Sequence, residues 1–488
     1  MSKTTEKIKR FSPDKLSELL AGHPLDLTNL IMPDFNNTDA GNSGRLVYYY
    51  GKRIRYCHPW KKWLLWDRQL WKIDETAEIM RLAREVIKKI YEEASLCIDE
   101  KERKALAAYA MRSEASGKLK ALVDLATSEK GVPVLPAELD QDPWLINCQN
   151  GTLNLKTGEL QPHDRMNFIT KIAPVEYSQE AKAPIWANFL DRIMDSNTKL
   201  INFLQRLIGY VLTGLTSEQK FPFFYGVGGN GKSVFIRVIQ TLMGDYSKTI
   251  SSDALMVRQG AGGEAANPYL ARLVGCRFVV ASETDEGRRL SESLIKSLSG
   301  QDKFATRALY GDVFEFQPTF KLLIYGNHKP VIRGNDPGIW RRVLLVPFTV
   351  RIPENEQDKE LYEKLIEELP GIFAWAVQGC YEWQRGGLRP PAEVLNATED
   401  YRQEMDSIES FINENCIVVP FAKISASELY EAYSKYCQEN GELVHSQKKF
   451  GGTLTEKGFE KERGHGGRYF WKGIDLTEVN PKVALYGN

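Results

Sequence analysis

An α/β protein built on a phosphate-binding loop, with a mixed α+β domain before the loop and a winged helix after it, is what this sequence predicts. Three observations carry the prediction. Phe221–Met243 (FPFFYGVGGNGKSVFIRVIQTLM) runs apolar strand, glycine-rich loop, amphipathic helix. Apolar runs of strand type follow at Arg277–Ala281, Lys321–Gly326 and Val343–Phe348, as an open α/β sheet requires. The tail then reads helix, short strand, helix, helix and two strands around a glycine-rich turn.

The loop Gly226-Val227-Gly228-Gly229-Asn230-Gly231-Lys232-Ser233 fits G-x-x-x-x-G-K-[ST] at every fixed position. Glycines let such a loop wrap so that its backbone N–H groups face phosphate oxygens, and the helix that follows adds the positive end of its dipole. Lys232 would reach the β- and γ-phosphates, and the Ser233 hydroxyl would ligate Mg²⁺. The candidate nucleotide-binding set is Gly226, Gly228, Gly229, Asn230, Gly231, Lys232, Ser233 and Val234. A nucleoside triphosphatase is expected.

Composition narrows the setting. The chain has 488 residues, a length typical of about three domains. Formal net charge is zero, so nucleic acid would have to be met by local basic surfaces and not by a global field. The seven cysteines are scattered and form no C-x-x-C pair, which argues against a disulfide framework and a zinc ribbon and fits a reducing cytosol. The first residues, MSKTTEKIKRF, lack the apolar core of a secretory signal. No apolar run approaches the ~20 residues of a membrane span. A cytoplasmic chain with no membrane partner is expected.

In order, residues 1–44 read as a polar segment ending in the turn-rich PDFNNTDAGNSG. From Arg45 the run LVYYYGKRIRYCHPWKKWLLWDRQLWKID reads as several short antiparallel strands. Its basic and aromatic residues interleave, which suits either a clamp for single-stranded nucleic acid or a sheet with one aromatic core face and one solvated basic face. Asp74 and Asp99 are placed to start helices, and LINCQNGTLNLKTGELQPHD reads as a hairpin with turns at Asn150-Gly151 and Thr157-Gly158. Ile185–Leu215 is helical, so a mixed domain is expected over 45–215 and the core over 216–400.

Within that core the strand at 277–281 delivers Glu283 and Asp285 to the sheet edge where ligands sit. A carboxylate there can hold Mg²⁺ through water and orient the attacking water. The strand Lys321–Gly326 ends on Asn327, whose amide can position water beside a γ-phosphate. Arg341 and Arg342 precede the last strand and are candidates for a finger acting on a neighbouring subunit, or for an ordinary solvated or acid-paired arginine pair. The winged helix is expected over 407–475, with Gly464–Gly467 as wing tip and a short tail at 476–488. Basic residues outnumber acidic ones seven to three from Val444 to Lys472, which suits phosphate contacts, although a protein-docking module fits nearly as well.

With these segments in place, the chain resembles the superfamily 3 helicases of the poxvirus, phage and plasmid primase–helicase family over roughly residues 36–475. NSGRLVYYYGKRIRYC, WLLWDRQLW and LINCQNGTLNLKTGELQPH look like that family's collar region, and GVGGNGKS and FVVASETDEG like its first two motifs. IKSLSGQDKFATRALYGDVFEF is similar to its B′ motif and DNA-contacting hairpin, KLLIYGNHKP to its sensor strand and GIWRRV to its arginine motif. The resemblance implies an AAA+-like core in a homo-hexameric ring that binds ATP and Mg²⁺ between subunits and moves single-stranded or forked DNA. Lys232 and Ser233 would hold phosphates and metal, Glu283 would polarise water with Asp285 in reserve, Asn327 would be the sensor, and Arg342, or else Arg341, the finger. Lys296, Lys303, Arg307 and Tyr310 would lie toward the DNA channel. Fewer than fifty residues precede the collar and no zinc-ligand cluster is present, so a separate primase or replicative polymerase is expected as partner. A phage, plasmid or integrated element in a bacterial cytoplasm is the expected setting.

Overall fold

The computed structural model describes residues 35–257, 268–282, 288–307, 313–332, 337–405, 407–440, 444–464 and 468–477. The chain divides into two units, Met1–Tyr177 and Ser178–Asn488.

The first unit opens with a helix, Asp39–Tyr50, where the sequence suggested a linker followed by strands from Arg45. Thr38 starts it: its hydroxyl accepts from the Gly41 N–H at 3.0 Å. Asn42, Ser43, Arg45 and Leu46 form its buried face, and this cap and packing outweigh the strand preference of the three tyrosines. The expected antiparallel strands begin later, as β1 (Ile54–Cys57), β2 (Lys62–Trp66) and β3 (Trp71–Ile73). The Asp74 carboxylate accepts the N–H groups of Glu78 and Ile79 and starts helix Glu78–Leu96, whose Ile79, Leu82, Ala83, Val86, Ile87 and Ile90 are buried. Asp99 likewise caps helix Glu100–Ser113, and helix Ser116–Ala126 completes the layer. A second small sheet, β4 (Leu145–Cys148), β5 (Gly151–Asn154) and β6 (Leu160–Gln161), is the anticipated hairpin with one added strand.

The second unit is built on a parallel sheet: β7 (Phe221–Tyr225), β8 (Ser247–Ser251), β9 (Phe278–Ser282), β12 (Lys321–Gly326) and β13 (Val343–Pro347). Their order in space is β13-β7-β12-β9-β8, and every neighbouring pair is parallel. The strand from the glycine loop therefore lies directly beside the strand that ends at Asn327. Between β9 and β12 run helix Glu292–Leu298 and the antiparallel hairpin β10 (Phe304–Arg307) and β11 (Val313–Phe316).

Helices Pro184–Ile193 and Thr198–Leu212 belong to this second unit, not to the first as their position in sequence suggested. The reason is packing: Trp186 stacks on Phe235 of the loop helix at 5.3 Å, and Thr198–Leu212 crosses helix Leu369–Gly386 backbone to backbone. At that crossing a Cβ on Gly209 would stand 2.0 Å from the Cys380 nitrogen, so only glycine permits it. Arg277 and Lys321 sit buried beneath the sheet and cap the end of Thr198–Leu212. Arg277 Nη1 donates to the Leu212 carbonyl at 2.6 Å, and Lys321 Nζ donates to the carbonyls of Thr213 and Leu215. Cations suit a helix C-terminus because they meet its orphan carbonyls and its negative dipole end.

The tail follows the expected order. Helix Ser407–Asn415 leads through β14 (Cys416–Ile417) and β15 (Lys423–Ser425) to helices Ala426–Glu439 and Gln447–Glu456, then β16 (Glu460–Arg463), β17 (Tyr469–Lys472) and β18 (Asp475–Leu476). Strands β15, β17 and β16 pair in that order over a core of Phe411, Leu429, Tyr433, Phe450 and Trp471. Of the anticipated wing tip, residues 465–467 lie outside the described residues.

Candidate functional site

The glycine loop joins β7 to helix Lys232–Met243 at the C-terminal edge of the parallel sheet, the edge at which open α/β sheets take their ligands. Gly231 closes the loop with φ +79°, and a Cβ there would meet Ile193 Cγ2 at 2.5 Å; backbone conformation and space both demand glycine. Around Gly228 there is open space. The loop thus packs tightly where it meets helix Pro184–Ile193 and leaves room in its middle.

Asn230 holds the loop from within. Its amide nitrogen donates to the carbonyls of Val227 at 2.5 Å and Phe348 at 3.2 Å, and its side chain is buried. The Asn230 side chain thus braces the loop. Ile352 N–H adds a brace by donating to the Gly229 carbonyl at 2.7 Å.

Lys232 is 4% exposed, and its Nζ donates to the Gly226 carbonyl at 2.5 Å, to Asn230 Oδ1 at 3.0 Å and to Asn327 Oδ1 at 3.4 Å. The last contact spans two strands: β12 delivers Asn327 beside β7, and sequence separation of 95 residues closes to one hydrogen bond. Ser233, one residue into the helix, is exposed.

These groups line one cavity of about 570 Å³. Gly228–Val234 form its floor and Tyr325, Gly326 and Asn327 one end. Ile185, Phe189, Ile352 and Leu361 supply apolar walls, while Asn188, Arg192, Glu356, Gln357 and Asp358 supply polar ones. Arg192 and Glu356 pair across it at 2.7 Å. Apolar walls with a few convergent polar groups and a basic, N–H-rich floor are what a phosphorylated ligand with a flat ring requires. The wall residues were missed from sequence because they lie far from the loop in the chain; a separation of 164 residues between Arg192 and Glu356 leaves no local signal.

The other expected site residues are only partly assembled. Strand β9 ends at Ser282, and Glu283 and Asp285 lie outside the described residues, as does Tyr310. Lys296 stands on helix Glu292–Leu298, Lys303 is exposed just before β10, and Arg307 ends β10. The two arginines sit differently. Arg342 is 9% exposed, with Nη1 donating to the Gly338 carbonyl at 2.5 Å. Arg341 is the exposed member, with Nη2 on Gln219 Oε1 at 3.0 Å.

Among the described residues no cluster of three His, Cys, Asp or Glu side chains could cage a metal ion. Mg²⁺ keeps waters and is held by few protein oxygens together with substrate phosphates; the Ser233 hydroxyl, exposed at the start of the helix, is an oxygen of the kind it takes. No described helix is long and apolar enough to cross a membrane.

Three family profiles match the chain. Residues 43–195 match one described as D5 N terminal like, residues 224–342 a family of unknown function (DUF5906), and residues 403–473 one described as Poxvirus D5 protein-like. Among curated proteins, one provisionally named helicase L207/L206 of Acanthamoeba polyphaga mimivirus is 25% identical over 347 residues, 67% of this chain and 36% of that one. One provisionally named helicase 022R of Frog virus 3 is 28% identical over 273 residues, 52% and 28% of the two chains. One provisionally named primase C962R of African swine fever virus is 23% identical over 327 residues, 62% and 34%. The chain spans about a third of the length of these relatives. Of solved structures, the apo structure of the NrS-1 C terminal region aligns over 90% of this chain and 100% of that one, at 11% identity and a TM-score of 0.46. The profile matches and the relatives support a D5-like primase–helicase family. They come from large DNA viruses, so the bacterial host expected from sequence gains no support from them.

Proposed function

We propose that this chain is the ATP-hydrolysing motor of a DNA replication helicase, of the superfamily 3 type, acting as a ring of identical subunits on single-stranded and forked DNA. The observation that carries the reading is the Lys232–Asn327 contact. A lysine of a G-x-x-x-x-G-K-S loop and an amide from the neighbouring strand meet at 3.4 Å on the floor of a cavity large enough for a nucleotide. The names of the viral relatives supply the helicase and primase context.

On this reading the loop N–H groups and Lys232 take the phosphates, and Ser233 with Glu283 and Asp285 would hold Mg²⁺, which supplies charge neutralisation on the phosphate oxygens when bound. Asn327 gives up Lys232 and turns its amide to the attacking water. Arg341, being exposed, is the arginine suited to reach a neighbour's site, and Arg342 holds the turn that presents it. Lys296, Lys303, Arg307 and Tyr310 are assigned to the DNA side, and the tail to a winged-helix module.

The test is the ATPase rate of the purified chain with and without single-stranded DNA, alongside strand displacement on a forked duplex. Stimulation and displacement are expected, with Arg341→Ala abolishing hydrolysis while sparing nucleotide binding. An ATPase indifferent to DNA, with no displacement, would overturn the helicase reading.

A further inference from the structure

We propose that the β1–β2 turn, His58–Lys62, is a docking point for single-stranded nucleic acid, with the Trp60 indole stacking on a base and Lys61 and Lys62 meeting the flanking phosphates. The structure sorts the interleaved aromatic and basic residues of this region into two groups. Trp63 and Trp71 are buried at 9% and 1% exposure, and Arg55 lies over the Trp71 and Phe168 rings at 5.0 and 5.7 Å. These form the core. The five residues of the turn, His-Pro-Trp-Lys-Lys, are all exposed, and Trp60 keeps 38% of its surface in solvent.

Near the turn some basic side chains are matched, Arg53 with Glu78 and Lys72 with Asp67, while others, Lys52 and Arg68, have no ion-pair partner among the described residues. Among the described residues neither Lys61 nor Lys62 has an ion-pair partner. An isolated exposed tryptophan is unremarkable on a protein surface. One followed directly by two unmatched ammonium groups presents a flat ring and two cations within a single turn, which is the complement of a base and its phosphates.

The turn is also held in place. Lys61 has φ +53°, a left-handed conformation that a non-glycine residue adopts at a cost of order 1 kcal/mol. Its N–H donates to the His58 carbonyl at 3.1 Å. The His58 ring donates from Nε2 to the Thr127 carbonyl at 3.0 Å and meets the Tyr56 ring edge-on at 4.7 Å. A presented indole of this kind loses little freedom on stacking. The proposal does not rest on the nucleotide site, which lies in the other unit.

The experiment titrates the full chain with a fluorescein-labelled oligothymidylate. Trp60→Ala should weaken binding roughly tenfold, and Trp60→Phe should restore most of it. Lys61→Glu with Lys62→Glu should weaken binding and reduce the slope of log K against log salt by about 1.4. Intrinsic tryptophan fluorescence should quench on binding more in the parent than in Trp60→Phe. Parent-like affinity of Trp60→Ala, as a polypeptide-docking turn would give, overturns the proposal; so does equal quenching in Trp60→Phe. If Trp60→Ala folds poorly, the quenching comparison decides. Lys232→Ala should leave all of these differences in place, which separates a failure here from a failure of the nucleotide reading.

Discussion

Two buried lysines mark the opposite ends of one parallel sheet. Lys232 at the upper edge and Lys321 at the lower edge are each 4% exposed, and among the described residues each donates to oxygens of uncharged groups. They differ in what lies beyond. Lys232 lines an open cavity, and its acceptors include a loop carbonyl, the braced Asn230 amide and the Asn327 amide. Lys321 is enclosed: the carbonyls of Thr213, Leu215 and Thr319 take its protons and the Tyr210 ring lies 4.8 Å from Nζ. On the proposed reading one lysine is kept for an arriving anion; the other closes a helix end. A buried cation costs several kcal/mol in desolvation unless its donors are satisfied, and the two ends of the sheet meet that cost in different ways.

The sharpest way to break the comparison is to remove each lysine in turn. Lys232→Ala should weaken ATP binding about a hundredfold, read by titration with a fluorescent analogue, while the thermal midpoint stays close to the parent's. Lys321→Ala should do the reverse. It leaves two or three carbonyls without donors and should cost about 2–4 kcal/mol on denaturant unfolding, with nucleotide affinity of the folded protein retained. If Lys321→Ala weakened nucleotide binding as much as Lys232→Ala, the division of roles would be wrong.

A second contrast is read from pH. Complete burial, with Arg277 nearby, holds Lys321 well below the usual lysine value of 10.5. The unfolded chain therefore binds this proton more tightly than the folded one, and stability should rise as pH climbs from the depressed value toward about 10.5. Lys321→Met should flatten that rise. The smallest effect belongs to the cavity wall: Arg192 and Glu356 are about half exposed, so Glu356→Gln should change stability by less than about 1 kcal/mol. Its mark should be a few-fold change in nucleotide affinity, measured in the same titration.

The two lysines also show what was legible in the chain. Lys232 could be singled out because a G-x-x-x-x-G-K-[ST] motif sets its glycines at fixed spacing, and Gly226, Gly231 and the following apolar helix announce themselves. Four strands of the sheet were legible because buried parallel strands read as unbroken apolar runs, whereas the edge strand β8 is mostly polar and gave no such run. Lys321 was not legible: a lysine opening a strand looks solvated until helix Thr198–Leu212 is placed beneath it. The helix at Asp39–Tyr50 was missed because Tyr48-Tyr49-Tyr50 has strand preference, whereas its start rests on Thr38 and one hydroxyl contact. Adjacent arginines look alike in sequence, and only the fold distinguishes the buried Arg342 from the exposed Arg341.

Strand β12 begins at Lys321 and hands on to Asn327, so a single extended segment joins both ends of this comparison. Bolted at its foot by a sealed cation, it has little freedom to slide. The Asn327 amide at one end of the strand is thus tied, through the same backbone, to the end of helix Thr198–Leu212 at the other.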